Sequence, residues 1–245
     1  MRHKDHSEKP FRIIPLGGLG EIGKNMMAYE YDDRILVVDA GLMFPDNDML
    51  GIDYIIPDFD YLVENRARVC GLIVTHGHED HTGASHHLVE QVNVPIYATQ
   101  LTRGLLEVKL ARGGLLDKVT FHTVQAGGTE QIGPFKVEFF HVCHSVPDGV
   151  GLGITTPVGL VVHTGDFKFD HTPVDNWPTD YAKLAEFSGR GVLALLADST
   201  NADKPGWTPS ERVIEPAFDE VFRNAQGRII IASFASLISR MQQVA

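Results

Sequence analysis

The sequence has few of the features that mark secreted or membrane-spanning proteins. Only two cysteines, Cys70 and Cys143, occur among its 245 residues, which is too few for a disulfide framework and fits a reducing cytoplasm. No apolar run approaches the roughly 18 residues of a membrane span. The charged start, Met1 to Lys9, is not typical of a signal peptide. We therefore expect a cytoplasmic protein without a membrane partner.

Basic residues are also scarce. Lysine and arginine number 21 against 32 aspartates and glutamates, for a formal net charge of -11. This balance argues against a non-specific nucleic-acid binder, because such binding depends on neutralising phosphates. It leaves open an enzyme that acts on RNA, since bound divalent cations would add positive charge where a phosphate docks. An apolar content of 43% is ordinary for a globular protein with a hydrophobic core.

The most informative segment is residues 76–81, which read His-Gly-His-Glu-Asp-His. It follows an apolar run over 71–75 that predicts a buried strand. Imidazole and carboxylate groups are ligands that suit zinc, and a catalytic zinc site also keeps a position open for water. Their alternation directs His76 and His78 towards one ion, and Asp80 and His81 towards a second. The alternative, a polar surface loop that contains histidines by chance, does not explain this alternation.

Two later strand ends add candidate ligands. His144 follows a strand predicted over 135–141 and opens a turn, from which its imidazole can reach a shared ion. His141 lies on the strand side of that turn and is predicted to be a core or supporting residue. Asp166 follows a strand predicted over 160–164, and its two carboxylate oxygens can bridge two cations. Alone, it would be better explained as the cap of a turn.

The carboxylate of Asp198 is a candidate supporting group. It ends an apolar run over 192–197 that predicts another buried strand. From that position it is expected to orient a metal-bound histidine through a hydrogen bond. His163, by contrast, is predicted to be a core histidine rather than a ligand.

A glycine-rich segment over 17–24 imitates two nucleotide-binding motifs. Gly18, Gly20 and Gly23 satisfy the spacing G-x-G-x-x-G after a predicted strand, and the segment also resembles a phosphate-binding loop. Both motifs require a helix after the glycines. The residues over 25–31 instead predict a strand that ends in a turn. We therefore expect no nucleotide cofactor and interpret the glycines as a tight loop near the rim of the site.

Strand-rich stretches with interspersed helices predict an α/β fold in which a sheet sandwich is covered by helices. The composition changes at the turn cluster over 205–209. A helix is predicted from Ser210 towards Gln226, then a strand over 228–232, then a helix that reaches Ala245 without a cap. We therefore expect this sequence to be a fragment of a longer chain.

The pattern H-x-H-x-D-H, followed by a later His and a later Asp, resembles the metallo-β-lactamase superfamily. Within it, several segments look like the ribonuclease J family of the β-CASP branch. They are residues 16–25, 39–45, 51–53, 144–148, 163–168 and 198–201. Residues 233–236, with Arg240 and Gln242-Gln243, are similar to the opening of the β-CASP domain that this family inserts.

The resemblance implies a four-layer αββα metallo-β-lactamase sandwich with the start of an inserted β-CASP α/β domain. The implied boundaries are a flexible tail over 1–9, the N-terminal portion of the metallo-β-lactamase domain over 10–208, and the beginning of the β-CASP domain over 209–245.

The resemblance also implies a role for each candidate site residue. One Zn²⁺ would be held by His76, His78 and His144, and the other by Asp80 and His81, with Asp166 as the bridge. Mn²⁺ or Mg²⁺ are the alternative ions. Asp80, His81 and Asp166 are the residues expected to carry catalysis. Asp39 would support the metal loop without ligating, and Asp198 matches the first acidic motif of the β-CASP branch.

The implied activity is 5′-to-3′ exonucleolysis of 5′-monophosphorylated RNA by a two-metal mechanism, with internal cleavage as a further activity, in RNA maturation and decay. The implied partners are the RNA substrate, further copies of the chain in a dimer or tetramer, and other RNA-decay proteins. A His-x-Ser-Gly-His segment and a final metal-binding histidine of the family do not occur within these 245 residues. We therefore expect the second metal shell to be incomplete here.

Two other functions remain open at the level of the sequence. One is another hydrolase of the same fold, such as a thioesterase or lactonase, which acts on small acyl substrates. The other is a non-catalytic fragment that binds RNA without cutting it.

Overall fold

The computed structural model describes residues 9–245, so nearly all of the tail predicted over 1–9 lies outside the described residues. The first of its two sheets has six strands in sequence order. These are β1 (Arg12–Gly17), β2 (Met26–Tyr31), β3 (Arg34–Val38), β4 (Val69–Val74), β5 (Ile96–Ala98) and β6 (Phe121–Thr123). Strands β1 to β3 pair antiparallel, whereas β3 to β6 pair parallel.

The second sheet has five strands in the order β11-β10-β9-β8-β7. These are β7 (Thr129–Ile132), β8 (Phe135–His141), β9 (Val150–Thr156), β10 (Gly159–His163) and β11 (Val192–Leu196). All neighbours pair antiparallel except β10 and β11, which are parallel.

Seven α-helices and three short 3₁₀ helices complete the described part of the chain. The α-helices are α1 (Asp60–Glu64), α2 (Glu79–Thr82), α3 (Ser85–Gln91), α4 (Gln100–Arg112), α5 (Tyr181–Arg190), α6 (Ile214–Asn224) and α7 (Ile238–Val244). The 3₁₀ helices are Arg66–Arg68, Leu116–Lys118 and Glu211–Val213. None of the described helices is both long enough and apolar enough to cross a membrane.

Three apolar clusters define four layers. The first cluster lies where α1, α3 and α4 cover the first sheet, with Leu62, Leu88 and Leu106 fully buried against the strands. A second cluster fills the space between the two sheets. In a third, Phe187 of α5 packs edge-on against Phe140 of β8, with 5.8 Å between ring centroids. The expected αββα sandwich therefore has helices outside both sheets.

Several predicted elements need correction. The strand predicted over 228–232 is wrong, because that segment has no strand in the structure. The short strands β5 and β7 were not predicted. Short strands carry too few alternating residues for a clear periodic signal, so their pairing with longer neighbours decides whether they form.

The expectation that residues 192–197 form a buried strand is wrong about burial. The segment forms strand β11, but β11 is an edge strand, and Leu195 is 63% exposed. An apolar run predicts a strand equally well in the centre and at the edge of a sheet. Its position in the sheet order sets its exposure.

Candidate metal centre

The candidate ligands lie together because their strands end at the same edge of the sandwich. Strands β3 and β4 are parallel neighbours, so Asp39 and His76 follow at adjacent carboxyl ends. In the second sheet β8 and β10 run in the same direction, since each is antiparallel to β9. His144 and Asp166 follow these two strands. The topology of both sheets thus brings residues from distant parts of the chain to one site.

The first group contains His76, His78, His144 and Asp166. His76 Nε2 lies 3.1 Å from His78 Nδ1, and His144 Nε2 lies 3.1 Å from the same atom. His76 is buried, while the other three are half-buried. Three ring nitrogens therefore converge at a position that remains accessible from one side.

The second group contains Asp80, His81 and Asp166. His81 Nε2 lies 3.6 Å from Asp80 Oδ2 and 3.2 Å from Asp166 Oδ1. The other oxygen of Asp166, Oδ2, lies 3.7 Å from His144 Nε2 in the first group. The two oxygens of Asp166 thus face different groups, as a carboxylate that bridges two cations requires.

Asp39 orients His81 from behind. Its Oδ2 lies 2.8 Å from His81 Nδ1, and its Oδ1 accepts a hydrogen bond from the backbone N of Thr75 at 2.8 Å. A carboxylate without a proton can only accept, so His81 carries its proton on Nδ1 and turns the lone pair of Nε2 towards the second group. This contact agrees with the expectation that Asp39 supports the metal loop without belonging to either donor group.

The histidines of the first group favour the neutral form. Burial, with the charges of His81 and His144, lowers the pKa of His76 well below its ordinary value. Burial likewise lowers the pKa of His78. It lowers the pKa of His144 to about 4, although the charge of Asp166 acts in the opposite direction. Neutral imidazole is the form that binds a metal ion, so these three side chains are ready to ligate at neutral pH.

Burial and neighbouring charges shift the pKa values of all three residues in the second group. Burial acts to raise the pKa of Asp166, but the hydrogen bond and charge of His81 outweigh it, and that pKa lies at about 2. Burial raises the pKa of Asp80. For His81, burial acts to lower the pKa, but the charge of Asp39 and the hydrogen bonds that His81 donates to Asp166 and Asp39 raise it well above its ordinary value. The carboxylates of Asp39 and Asp166 therefore favour positive charge at this position.

Two other histidines near the site have different environments. His141 is buried, its Nδ1 lies 3.0 Å from the backbone O of Pro178, and its ring stacks on Trp177 at 3.9 Å. His163 Nδ1 lies 2.7 Å from the hydroxyl of the fully buried Tyr29. Neither histidine belongs to a donor group found in residues 9–245. The environment of His141 is that of a core residue, whereas His163 is half-buried and lines the cavity beside the second group.

Asp198 lies beside the site and caps a turn. Its Oδ1 accepts a hydrogen bond from the backbone N of Thr200 at 2.7 Å, and its own N donates to Thr164 Oγ1 at 3.2 Å. In the described part of the chain it makes no hydrogen bond to a site histidine, although its charge acts to raise the pKa of His144. Its role in orienting a ligand stays a prediction.

Two residues at the site were not predicted. Thr75 Oγ1 lies within 3.1 Å of both oxygens of Asp39 and 3.0 Å from His76 Nδ1, so it links the supporting carboxylate to a candidate ligand. Asn25 reaches Asp80 and His81 from the end of the glycine-rich segment.

The glycine-rich segment leads into a strand, as predicted. Strand β2 begins at Met26, leaving no room for the helix that a nucleotide-binding loop needs. Residues of the segment line a cavity of about 750 Å³ that also contacts Asp80, His81 and Asp166. The predicted position at the rim of the site is confirmed.

The donor atoms fit divalent cations. Within each group, one donor atom from each residue lies within 4.8 Å of the others. The first group is rich in imidazole, which suits zinc, and the second has more carboxylate oxygen, which also suits manganese or magnesium. The hydrogen bond from His81 Nδ1 to a buried carboxylate is the kind of support that metal-binding histidines receive in proteins.

The chain is similar to known proteins along nearly its whole length. The profile of the metallo-beta-lactamase superfamily matches residues 19–209. Ribonuclease J of Helicobacter pylori J99 is 46% identical over 239 residues, which cover 97% of this chain and 34% of that protein. Ribonuclease J of Synechocystis sp. is 47% identical over 240 residues, which cover 97% of this chain and 38% of that protein. The chain thus spans less than half the length of these relatives.

A solved structure supports the fold. A crystal structure of a protein of unknown function from Enterococcus faecalis V583 superposes with a TM-score of 0.67 at 17% identity. The match covers 96% of this chain and 63% of that one. At this identity the likeness concerns the fold alone. Together with the profile match, it confirms the fold class expected from the sequence.

Proposed function

Because this chain belongs to the metallo-β-lactamase superfamily, we propose that it forms the metal-binding part of a ribonuclease that hydrolyses RNA phosphodiester bonds. The observation that carries the proposal is Asp166, whose Oδ1 lies 3.2 Å from His81 and whose Oδ2 lies 3.7 Å from His144. The similarity to proteins named ribonuclease J, over 97% of this chain, supports RNA as the substrate.

The proposed ligand set has two halves. His76, His78 and His144 would hold one ion, Asp80 and His81 the other, and Asp166 both. Zn²⁺ is the ion we propose, with Mn²⁺ or Mg²⁺ as alternatives. Two such ions would supply Lewis-acid activation of water and would neutralise charge on the phosphoryl oxygens.

The chain's own residues contribute orientation and charge. Asp39 holds His81 with the Nε2 lone pair towards the site, at a hydrogen-bond distance of 2.8 Å. Thr75 connects Asp39 to His76, so ligands of both ions share one buried support. Preorganisation of this kind accelerates reactions because the donors need not be rearranged during the reaction. Asp80, His81 and Asp166 are the residues we propose as catalytic.

The domain boundaries are part of the proposal. Residues 10–208 would form a portion of the metallo-β-lactamase domain, and residues 209–245 would begin a β-CASP domain. A contact between the two segments supports this arrangement. Lys168 Nζ of the first segment lies 3.1 Å from Glu211 Oε1 of the second, and within the second segment Arg240 Nη2 lies 2.7 Å from Glu211 Oε2. Glu211 and Arg240 line a cavity together with His144 and Ser145.

The finer activity is 5′-to-3′ exonucleolysis of 5′-monophosphorylated RNA, with endonucleolysis as a second activity. The complete gene product, supplied with Zn²⁺, Mn²⁺ or Mg²⁺, should degrade 3′-labelled RNA with a 5′-monophosphate faster than the same RNA with a 5′-triphosphate. Linear products from a circular RNA would demonstrate the endonuclease. His76→Ala and Asp80→Asn should abolish both activities while leaving the fold intact.

Other outcomes would contradict the proposal. RNA decay at the wild-type rate in His76→Ala or Asp80→Asn would exclude the two-metal assignment. Hydrolysis of a thioester or lactone with RNA untouched would favour a small-molecule hydrolase. RNA binding without cleavage, at about one ion per chain or fewer, would favour a non-catalytic protein.

We also propose a homo-oligomer, a dimer or tetramer, that works in the cytoplasm with other RNA-decay proteins. Light scattering of the complete gene product measures its mass, and a purely monomeric mass would contradict the oligomer. Fractionation of cells tests the compartment, and affinity purification from RNase-treated lysate tests for the partners.

A further inference from the structure

The side chain of Asn25 lies against both residues that, with Asp166, form the second donor group. Asn25 Nδ2 lies 3.1 Å from the backbone O of Asp80, 3.4 Å from Asp80 Oδ2 and 3.1 Å from His81 Nε2. A backbone carbonyl oxygen can only accept, so this contact orients the NH₂ end of the amide towards Asp80. One amide hydrogen points to that carbonyl, and the other lies between Asp80 Oδ2 and His81 Nε2.

The backbone of Asn25 is held at the same place. Its N donates to Asp80 O at 3.0 Å, and its O accepts from Gly41 N at 2.9 Å. The glycine-rich segment, the loop after β3 and the metal loop therefore meet at this residue. With its backbone bonded to two loops and its side chain bonded to the metal loop, Asn25 has little freedom to move relative to the ligands.

The neighbouring glycines make room for this junction. A Cβ atom on Gly18, which has φ +83°, would lie 2.4 Å from Asn25 Oδ1. A Cβ atom on Gly41 would lie 1.5 Å from Asp80 O and 2.9 Å from Asn25 N. Real Cβ atoms do not approach this closely, so any larger residue at either position would displace Asn25 or Asp80. Gly18 in the glycine-rich segment and Gly41 in the loop after β3 therefore leave the space that Asn25 and Asp80 occupy.

We infer that Asn25 is a positioning residue for the ion held by Asp80, His81 and Asp166, an inference that rests on the proposed function. Its amide donates to the backbone O of Asp80 at 3.1 Å and to Asp80 Oδ2 at 3.4 Å, and it lies 3.1 Å from His81 Nε2. Asp39 acts on the other nitrogen of the same imidazole, at 2.8 Å. His81 is thereby held from both sides, which lowers the cost of ordering the ligands when an ion binds.

The test is a metal titration of the complete gene product after removal of its metals. Calorimetry with Zn²⁺ measures the two binding steps, and His144→Ala identifies the step that belongs to the first group. Asn25→Ala should weaken the second ion about 10- to 100-fold, the usual effect of losing such a supporting contact, and leave the first unchanged. Asn25→Ser gives the same test if the alanine variant does not fold, because its shorter side chain cannot span both ligands.

Asn65→Ala is the matched control. Asn65 directly follows helix α1, is also half-buried and belongs to neither donor group. Its amide also donates to a backbone oxygen, that of Tyr61, at 2.8 Å. The Asn65→Ala variant should bind both ions as the wild type does. Wild-type affinity for the second ion in both Asn25 variants, or an equal loss in Asn65→Ala, would overturn the inference. A wild-type protein that binds no second ion would instead overturn the metal assignment in the proposed function.

Discussion

Asp39 and His81 form a hydrogen bond of 2.8 Å between side chains that are almost completely buried, although 42 positions separate them in the sequence. Asp39 accepts both this bond and one from the backbone N of Thr75. The carboxylate thus joins the ends of β3 and β4 to the metal loop. The orientation of His81 thus depends on a buried carboxylate that belongs to neither donor group.

Asp39→Asn should weaken binding of the second ion about 10- to 100-fold. An asparagine has one accepting oxygen, so either Thr75 N or His81 Nδ1 must face an NH₂ group. If His81 faces it, the ring must carry its proton on Nε2 and cannot bind a metal there. Calorimetry with Zn²⁺ on the metal-free protein measures the loss.

Asp33→Asn is the control for that variant. Asp33 also has a left-handed backbone, with φ 59° against 63° for Asp39, but its side chain is 83% exposed. Asparagine tolerates this backbone region as well as aspartate does. Both ions should bind the control with wild-type affinity. Wild-type affinity for the second ion in Asp39→Asn would show that the buried carboxylate does not orient His81.

His144→Ala and His141→Ala should have opposite effects. His144 Nε2 lies in the first donor group, so its loss should remove one ion and change stability little in the metal-free protein. His141 stacks on Trp177 and its Nδ1 lies 3.0 Å from a backbone oxygen. Its loss should cost about 1–3 kcal/mol of stability without removing an ion.

Metal analysis after gel filtration measures the number of bound ions. Urea unfolding in the presence of a chelator measures the stability of the metal-free protein. If His141→Ala loses an ion and His144→Ala does not, the assignment of the two histidines is reversed. If each variant loses one ion, His141 contributes to the site indirectly. Unfolding of His144→Ala in chelator would show a structural role for that residue.

Gly41→Ala should strongly destabilise the protein. The new Cβ would overlap Asp80 O at 1.5 Å and must push apart the loops that meet there. Gly104→Ala is the control, because a Cβ on this glycine of α4 contacts nothing within 4 Å. Alanine stabilises a helix interior relative to glycine by about 0.5–1 kcal/mol.

Thermal unfolding should therefore shift downwards for Gly41→Ala and upwards for Gly104→Ala. A Gly41→Ala protein that unfolds at the wild-type temperature and binds both ions would show that the close approach of Gly41 to Asp80 is not needed.

Glu138→Gln should reduce the sensitivity of the fold to acid. Glu138 is buried on β8 and accepts hydrogen bonds from Lys183 at 2.9 Å and Arg190 at 2.8 Å. Burial acts to raise the pKa of Glu138, but these two partners outweigh it and lower that pKa below its ordinary 4.5. The pKa in the folded protein is below that in the unfolded chain. The contribution to stability is therefore complete above about pH 4.5 and is lost as the pH falls further.

At pH 7 the glutamine variant should be less stable by about 1.5–3 kcal/mol, the usual worth of hydrogen bonds to a charged group. The difference should shrink at pH 4, because the unfolded wild-type chain then binds a proton that the folded protein binds less readily. Urea unfolding at both pH values measures it, with the exposed Glu64→Gln as control. A difference that grows on acidification would contradict the sign of this pKa shift.

The candidate donor residues were predictable because their side-chain types and spacing are visible within short stretches of the sequence. Residues 76–81 carry four candidate ligands in one loop, and His144 and Asp166 each follow an apolar run that ends in a turn. Strand periodicity places such residues at a sheet edge before any long-range contact is known. In the structure the six candidate donors lie in two groups, and their roles as ligands stay a prediction.

The residues that hold those donors in place were only partly predictable. Asp39 was expected from the family resemblance, whereas Thr75 and Asn25 were not. Asn25 Nδ2 lies 3.1 Å from the backbone O of Asp80, 55 positions away. A single sequence contains no signal for such a contact, because it depends on how two loops approach each other. The exposure of Leu195 was mispredicted for the same reason, since the sheet order decides it.

Residue types and their alternation along the chain thus account for the donor chemistry, for most strands and for the two directions in which ligands point. These properties follow from side-chain identity and from the period of a strand, which act over a few residues. The arrangement of strands and loops in the folded chain decides the contact between Asp39 and His81, the orientation of the Asn25 amide and the two directions in which the Asp166 oxygens point. Each of these depends on distances between atoms far apart in sequence, which only the folded chain brings within hydrogen-bond range.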